Sequence, residues 1–359
     1  MINPDVPKDI PRANRILVIR YRFIGDTILT VPFLRNLRRA YPRAIIDVLV
    51  GPQSGLVLEN CPYVNELITF DTTRFHKYDQ GQGKAQSFWH YANMLRKNKY
   101  DAVFVLKRSL SSAFLAWYTG ARFRAGYATE GRAFLLTHSV PWNKNIHEVD
   151  STLDILGCAN IPVADKHLEA WISDKEISRV REIAPQLWNG QRAVLIHAAA
   201  AHPDKMYPLE SWAAVLQHLS RKEKLLPYFT GAEADFSLYE RLISLAQVDG
   251  INLAGKLTLR ESMALYSKME LAVCVDSGPA HLAAAAGIPT VAIFGPTDPF
   301  RWRPYGDQHV AVFDRSISCE ACHKHKELTE HACLSQLDPQ KVIDSASALY
   351  ATRRQIINC

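Results

Sequence analysis

The chain is poor in several features that would each narrow its function. No apolar run approaches the roughly 18 residues needed to span a bilayer. The amino terminus, MINPDVPKDIPRANR, has no apolar leader core, so the expected location is cytoplasmic. There is no G-x-G-x-x-G after a strand, which argues against a dinucleotide fingerprint. No D-x-D is present to hold a divalent metal on a diphosphate. Internal repeats and low-complexity segments are also missing. The seven Cys, an odd number in a long chain, do not read as a disulfide framework.

What is present is an ordinary globular composition. The 359 residues suffice for two domains, with 48% hydrophobic and 22% charged residues. A net charge of +6 is compatible with an anionic partner: a membrane surface, a phosphorylated glycolipid or nucleic acid.

Short apolar runs alternate with helical patterns along the whole length, which predicts α/β units around mainly parallel sheets. Strands are expected at 16–19, 45–50, 66–70, 102–106, 194–197, 225–230, 271–275 and 290–294. Helices are expected from about 28 to 40, at 86–97 and 111–119, and from 339 to 354. Residues 76–84 read as a polar loop, and 161–174 as an interdomain linker. The expected domains are 1–168 and 169–359.

Chemistry concentrates at 271–299, LAVCVDSGPAHLAAAAGIPTVAIFGPTDP. A buried strand ends in Asp276-Ser277-Gly278-Pro279, which opens an Ala-rich helix. Such turns at the carboxyl ends of parallel strands are where open sheets place ligands, and the free N–H groups suit phosphate. Gly278 allows close approach, Pro279 suits the first helical turn, and His281 is near enough in sequence to face the same ligand. The plain alternative is a helix capped by Asp276 or Ser277. The turn after the first strand, R-Y-R-F-I-G-D-T, offers Asp26, whose plain role is likewise an N-cap. Arg35, Arg38 and Arg39 form a basic stripe on the following helix, read as a solvated face or, alternatively, a membrane-facing one.

The segment D-S-G-P-A-H-L-A-A-A-A-G-I-P-T-V-A-I-F-G-P-T-D-P closely resembles glycosyltransferase family 9, the bacterial lipopolysaccharide heptosyltransferases. The resemblance extends from residue 16 to about 342. It includes Gly25, Asp26, Pro32, Leu34 and Leu37 near the start, Lys205, Tyr207 and Pro208, and N-L-A-G-K-L-T-L at 252–259. It implies a GT-B architecture, with two Rossmann-like doubly wound domains facing across a cleft. It also implies inverting, metal-independent transfer of a heptose or related sugar from ADP-heptose or a similar nucleotide sugar to a lipopolysaccharide-type glycolipid.

By that resemblance Asp26 is the catalytic base. Lys205, Glu233, Leu257, Asp276, Ser277, Gly278 and His281 bind the donor, with Glu233 on the ribose hydroxyls. An anionic acceptor across the cleft would meet Arg20, Arg22, Lys107, Arg108 and Arg132. No cofactor, catalytic metal or nucleic acid is implied, and contact with the membrane would be peripheral. Two departures stand out. Ser151 follows His147-Glu148-Val149-Asp150 where an Arg is frequent, and Ala199 replaces a turn glycine. The rival readings are a non-catalytic nucleotide- or glycan-binding protein on the same fold and a doubly wound oxidoreductase.

Cys319-x2-Cys322 and Cys333, with His323, His325 and His331 interleaved, have a zinc-compatible spacing but no second C-x2-C pair. The reading adopted is a stabilising loop with reduced thiols and no metal.

Overall fold

A computed structural model describes residues 12–71, 85–319, 322 and 331–357. The loop expected at 76–84, His323 and His325 lie outside them. The chain divides into two compact units, Met1–Trp171 and Ile172–Cys359.

In the first unit β1 (Arg15–Ile19), β2 (Ile45–Val50), β3 (Glu66–Thr69), β4 (Ala102–Val105), β5 (Phe123–Tyr127) and β6 (His138–Val140) form one sheet in the order β3-β2-β1-β4-β5-β6. Every pairing is parallel, and β1 lies between β2 and β4 with Val18 opposite Val48 and Phe104. Four of the five β1 residues are buried, because helices cover both faces of such a sheet. Leu17, Ile19, Leu49, Val103 and Leu115 join one apolar cluster.

The second unit repeats the plan. Its strands are β7 (Ala193–His197), β8 (Leu226–Phe229), β9 (Ile251–Asn252), β10 (Leu271–Val275), β11 (Thr290–Ile293) and β12 (His309–Val312), ordered β12-β11-β10-β7-β8-β9 and again all parallel. Val194, Ile196, Trp212, Val273 and Val291 share its core. Numbered within their own units, both sheets follow the doubly wound order 3-2-1-4-5-6. The order reverses between β1 and β4 and between β7 and β10, and ligands bind at the carboxyl ends of strands flanking such a reversal. The fold is α/β of the GT-B class.

Two expectations need correction. The helix expected from 28 to 40 is two helices, Ile24–Ile28 and Val31–Ala40. Pro32 cannot continue a hydrogen-bonded helix but is tolerated in a first turn, so the second helix restarts there. The Arg stripe on that second helix is a solvated face only at Arg39, whose side chain is 49% exposed. Arg35 is only 3% exposed and pairs with Asp165 at 3.0 Å and with Glu169. Arg38 donates to the carbonyls of Tyr63, Tyr41 and Ala44. Arg35 and Arg39 fasten the segment expected as a linker, which has no regular structure until Ser173 and Glu176 form a capping box on the helix Asp174–Ile183.

Candidate functional site

The first cluster sits at the reversal between β1 and β4. Arg20 follows β1 directly, and the turn beyond it is tight: Arg22 has φ 128. A non-glycine residue there is strained, and such strain collects at functional turns. Phe23 is the N-cap of Ile24–Ile28 and makes no side-chain cap bond. Asp26 therefore lies inside the helix and is not its N-cap. Its Oδ1 instead meets Arg20 Nη2 at 3.0 Å, and the same Nη2 reaches Glu148 Oε1 at 2.9 Å. Arg20 and Glu148 are buried, whereas the Asp26 side chain is 19% exposed.

Burial pushes the Asp26 carboxyl above the ordinary aspartate value. Arg20 opposes this, Glu148 adds to it, and Lys107 and Arg108 oppose it from the end of β4. A partly exposed carboxylate held by one ion pair, with its pKa raised by desolvation, has the chemistry to accept a proton.

Glu148 is the member of this cluster that sequence reasoning passed over. It opens the helix Glu148–Asp154, where His147 accepts the Val149 N–H at 3.1 Å as the cap. The motif was visible as a helix start, but nothing in it announced a partner for Arg20. Ser151, on the same helix, faces Tyr127 Oη at 3.1 Å.

The five basic residues expected around an acceptor separate. Arg20 is committed to Asp26 and Glu148. Arg132 is 1% exposed and its guanidinium pairs with Glu130. Neither side chain has surface to offer a ligand: Arg20 serves Asp26 and Glu148, and Arg132 serves an exposed carboxylate. Arg22, Lys107 and Arg108 are half-buried. Lys107 donates to the Tyr21 carbonyl at 3.1 Å, and Arg108 lies 3.9 Å over the Trp142 ring.

The second cluster sits at the reversal between β7 and β10. Asp276 directly follows β10, and its Oδ2 accepts from Lys205 Nζ at 2.6 Å. Lys205 lies in the short Pro203–Lys205 turn that follows β7. Ser277 is the N-cap of the helix Gly278–Ala285, yet no side chain caps it; the Ser277 hydroxyl donates to the Val275 carbonyl at 3.0 Å. The capping reading of Asp276 and Ser277 thus does not describe this turn, whose first-turn N–H groups point past β10. His281 is buried; burial first, then the neighbouring His281 and Arg303, hold the His309 imidazole down to about 4. Ala198 and Ala199 are buried and neither takes a positive φ, so the turn does without the glycine.

Glu233 is exposed beyond β8 and begins the Glu233–Asp235 turn. Gly255, at φ +74, packs its α-carbon against it: a Cβ there would lie 2.9 Å from Glu233 Cα. The Gly255 N–H donates to the Gly231 carbonyl at 3.0 Å, closing the loop. Leu257 is half-buried just before Thr258, the cap of the next helix. The N-L-A-G-K-L-T-L segment thereby places its glycine directly under Glu233.

A third cluster lies between β12 and the last helix. Cys319, Cys322, His331 and Cys333 bring one ligand atom each within 4.8 Å of one another. Sequence reasoning saw three cysteines without a complete ligand set; the fourth member is His331, which spacing alone did not separate from His323 and His325.

The profile of glycosyltransferase family 9 (heptosyltransferase) matches residues 88–333. Lipopolysaccharide heptosyltransferase 3 of Escherichia coli is 29% identical over 296 residues, 80% of this chain and 86% of that one. Lipopolysaccharide heptosyltransferase 2 of E. coli K12 is 26% identical over 363 residues, 93% and 98% of the two chains. Among solved structures, a family 9 glycosyltransferase of Veillonella parvula superposes with a TM-score of 0.83 at 24% identity, covering 94% of this chain and 98% of that one. E. coli ADP-heptose LPS heptosyltransferase II gives 0.74 at 24%, covering 95% and 99%. With the profile spanning most of the chain, and with a carboxylate and a lysine–aspartate turn at the two sheet reversals, this protein belongs to glycosyltransferase family 9 and is a glycosyltransferase.

Proposed function

We propose that the protein transfers a heptose, or a closely related sugar, from an ADP-linked donor to an anionic lipopolysaccharide-type acceptor, inverting the anomeric centre. The observation that carries this reading is Asp26 at the β1/β4 reversal, with its pKa raised and the cations of Arg20, Lys107 and Arg108 acting on it. Asp26 takes the acceptor hydroxyl proton as that oxygen attacks the anomeric carbon. The bond from carbon to the diphosphate oxygen breaks, and ADP leaves with the electron pair. Lys205 and the N–H groups at Ser277–Gly278 offset the leaving charge, with no metal on the diphosphate. Glu233 accepts from the ribose hydroxyls, Leu257 lies near the base, and Asp276 holds Lys205 in place. His281, in the first turn of the helix Gly278–Ala285, completes the donor side. The names of the relatives, heptosyltransferases acting on lipopolysaccharide and in one case on ADP-heptose, support the donor and the acceptor class.

Arg22, Lys107 and Arg108 meet the anionic acceptor. The enzyme works at the cytoplasmic face of the membrane, and an aromatic patch supports a peripheral contact. Trp89, Leu110, Trp117 and Phe134 are 54%, 57%, 48% and 76% exposed, and Phe114 links the two indoles at 5.8 and 5.6 Å. Exposed indoles suit a membrane interface. Among the described residues no helix is long and apolar enough to cross a membrane.

The test is thermal stabilisation by ADP, UDP, GDP and NAD, each with EDTA or with magnesium. ADP should raise Tm in both conditions and by the largest step. Stabilisation by NAD alone would support the oxidoreductase alternative, and an ADP effect seen only with magnesium would refute metal independence.

A further inference from the structure

We propose that Cys319, Cys322, His331 and Cys333 form a tetrahedral site for one structural Zn2+ or a similar soft-ligand cation such as Fe2+. The donors are three thiols and one imidazole, a set that selects these metals over magnesium or calcium.

Three of the distances between donors agree with a tetrahedron, and all lie within 4.8 Å. With bonds of about 2.3 Å to sulfur and about 2.0 Å to nitrogen, tetrahedral angles put two sulfurs ~3.8 Å apart and sulfur and nitrogen ~3.5 Å apart. The Cys322 and Cys333 sulfurs are 3.6 Å apart, and His331 Nδ1 lies 3.4 Å from Cys322 Sγ and 3.7 Å from Cys319 Sγ. A disulfide would need about 2.05 Å, and the spacing of the three sulfurs and one imidazole is better met by a shared ion than by any pairing. Cys319, His331 and Cys333 are buried and Cys322 is half-buried, so the ion would be closed off from substrate. Full coordination by protein with no open position is the mark of a structural site.

The site has a mechanical purpose in its own unit. It ties the chain after β12 to the short helix Ala332–Ser335. One residue past Cys333, Leu334 packs on Gly295 so closely that a Cβ on that glycine would lie 2.5 Å from Leu334 Cδ1. Leu337 then accepts from Tyr207 Oη at 2.8 Å. Tyr207 is two residues from Lys205. The ion would thus fix a segment that braces both the Gly-Pro-Thr-Asp-Pro turn after β11 and the turn carrying Lys205. The metal site itself does not depend on the proposed reaction.

The experiment uses the full chain, purified without a polyhistidine tag or chelator. Elemental analysis should find about one equivalent of zinc or iron per chain. X-ray absorption should show three sulfurs at about 2.3 Å and one nitrogen at about 2.0 Å. The Cys319→Ser, Cys333→Ser double variant should lose the metal and melt at a lower temperature, while Cys158→Ser keeps it. Should the double variant fail to fold, titration of the wild-type thiols with a mercurial reagent should release one equivalent. A folded wild-type chain that holds no metal and takes up no zinc in reducing buffer would overturn the site. A Cys322–Cys333 disulfide found by peptide mass in the purified protein would do the same.

Discussion

Asp26→Asn separates base from scaffold. Asparagine keeps the shape of the side chain and a hydrogen-bond acceptor but not the basicity. A positioned general base contributes about 100- to 10,000-fold, which is ~2.7–5.5 kcal/mol of barrier at ~1.4 kcal/mol per tenfold. Turnover should fall by that factor in a coupled assay of ADP release.

Stability should hardly move, for a reason visible in the site. Arg20 keeps Glu148 at 2.9 Å and the Leu106 carbonyl, and the variant no longer has to hold a carboxylate that burial disfavours. Those effects oppose each other, so a net change within about 1 kcal/mol is expected, a few degrees in Tm at most for a unit of this size. The pH profile adds a second readout. The base must be ionised to act, so wild-type activity rises with pH through the Asp26 pKa, at a pH above the ordinary aspartate value of about 3.9, because that pKa is raised. In the variant this acidic limb should vanish. A variant that keeps half of wild-type turnover, or an acidic limb that survives the change, refutes the assignment of the base.

Glu148→Gln should move the acidic limb to lower pH, since Glu148 helps to raise the Asp26 pKa; a pH–rate profile unchanged from wild type would remove Glu148 from the role of positioning residue. Denaturant unfolding should show a loss smaller than the ~3–5 kcal/mol typical of a broken buried pair, because Arg20 retains Asp26. Gly255→Ala places a methyl group at φ +74 against Glu233, at a cost of about 1–3 kcal/mol. ADP affinity by calorimetry should drop with it; a lower Tm with unchanged affinity would exclude Glu233 from the nucleotide site.

The strands were legible because a parallel sheet buried on both faces needs unbroken Val, Ile and Leu, as in the segments at 16–19 and 271–275. The turns at Asp26 and Asp276 were legible because a polar break at the end of such a run has few other uses. What periodicity could not carry was partnership across the sequence. Arg35 looks like one stripe of charge on a helix, and only the fold brings Asp165 and Glu169 to it, some 130 residues later. Glu148 meets Arg20 over a separation of 128. The sheet reversals explain why the two candidate clusters are where they are, yet strand order is a property of crossovers and leaves no trace in local composition. His331 shows the same limit at short range: three histidines share a segment, and only folding selects the one that meets the cysteines.

The all-parallel pairing also governs how the chain must assemble as it is made. β1 is synthesised first but lies in the middle of its sheet, so it waits for β4, whose first residue is Ala102. No hairpin holds it in the meantime, and such non-local pairing is slow. The first unit ends at Trp171. At about 5–20 residues per second, the second unit, Ile172–Cys359, then takes roughly 10–40 s to make. During that interval the first sheet can close around β1 before the second set of equally apolar strands, built to the same plan, emerges to compete for its edges.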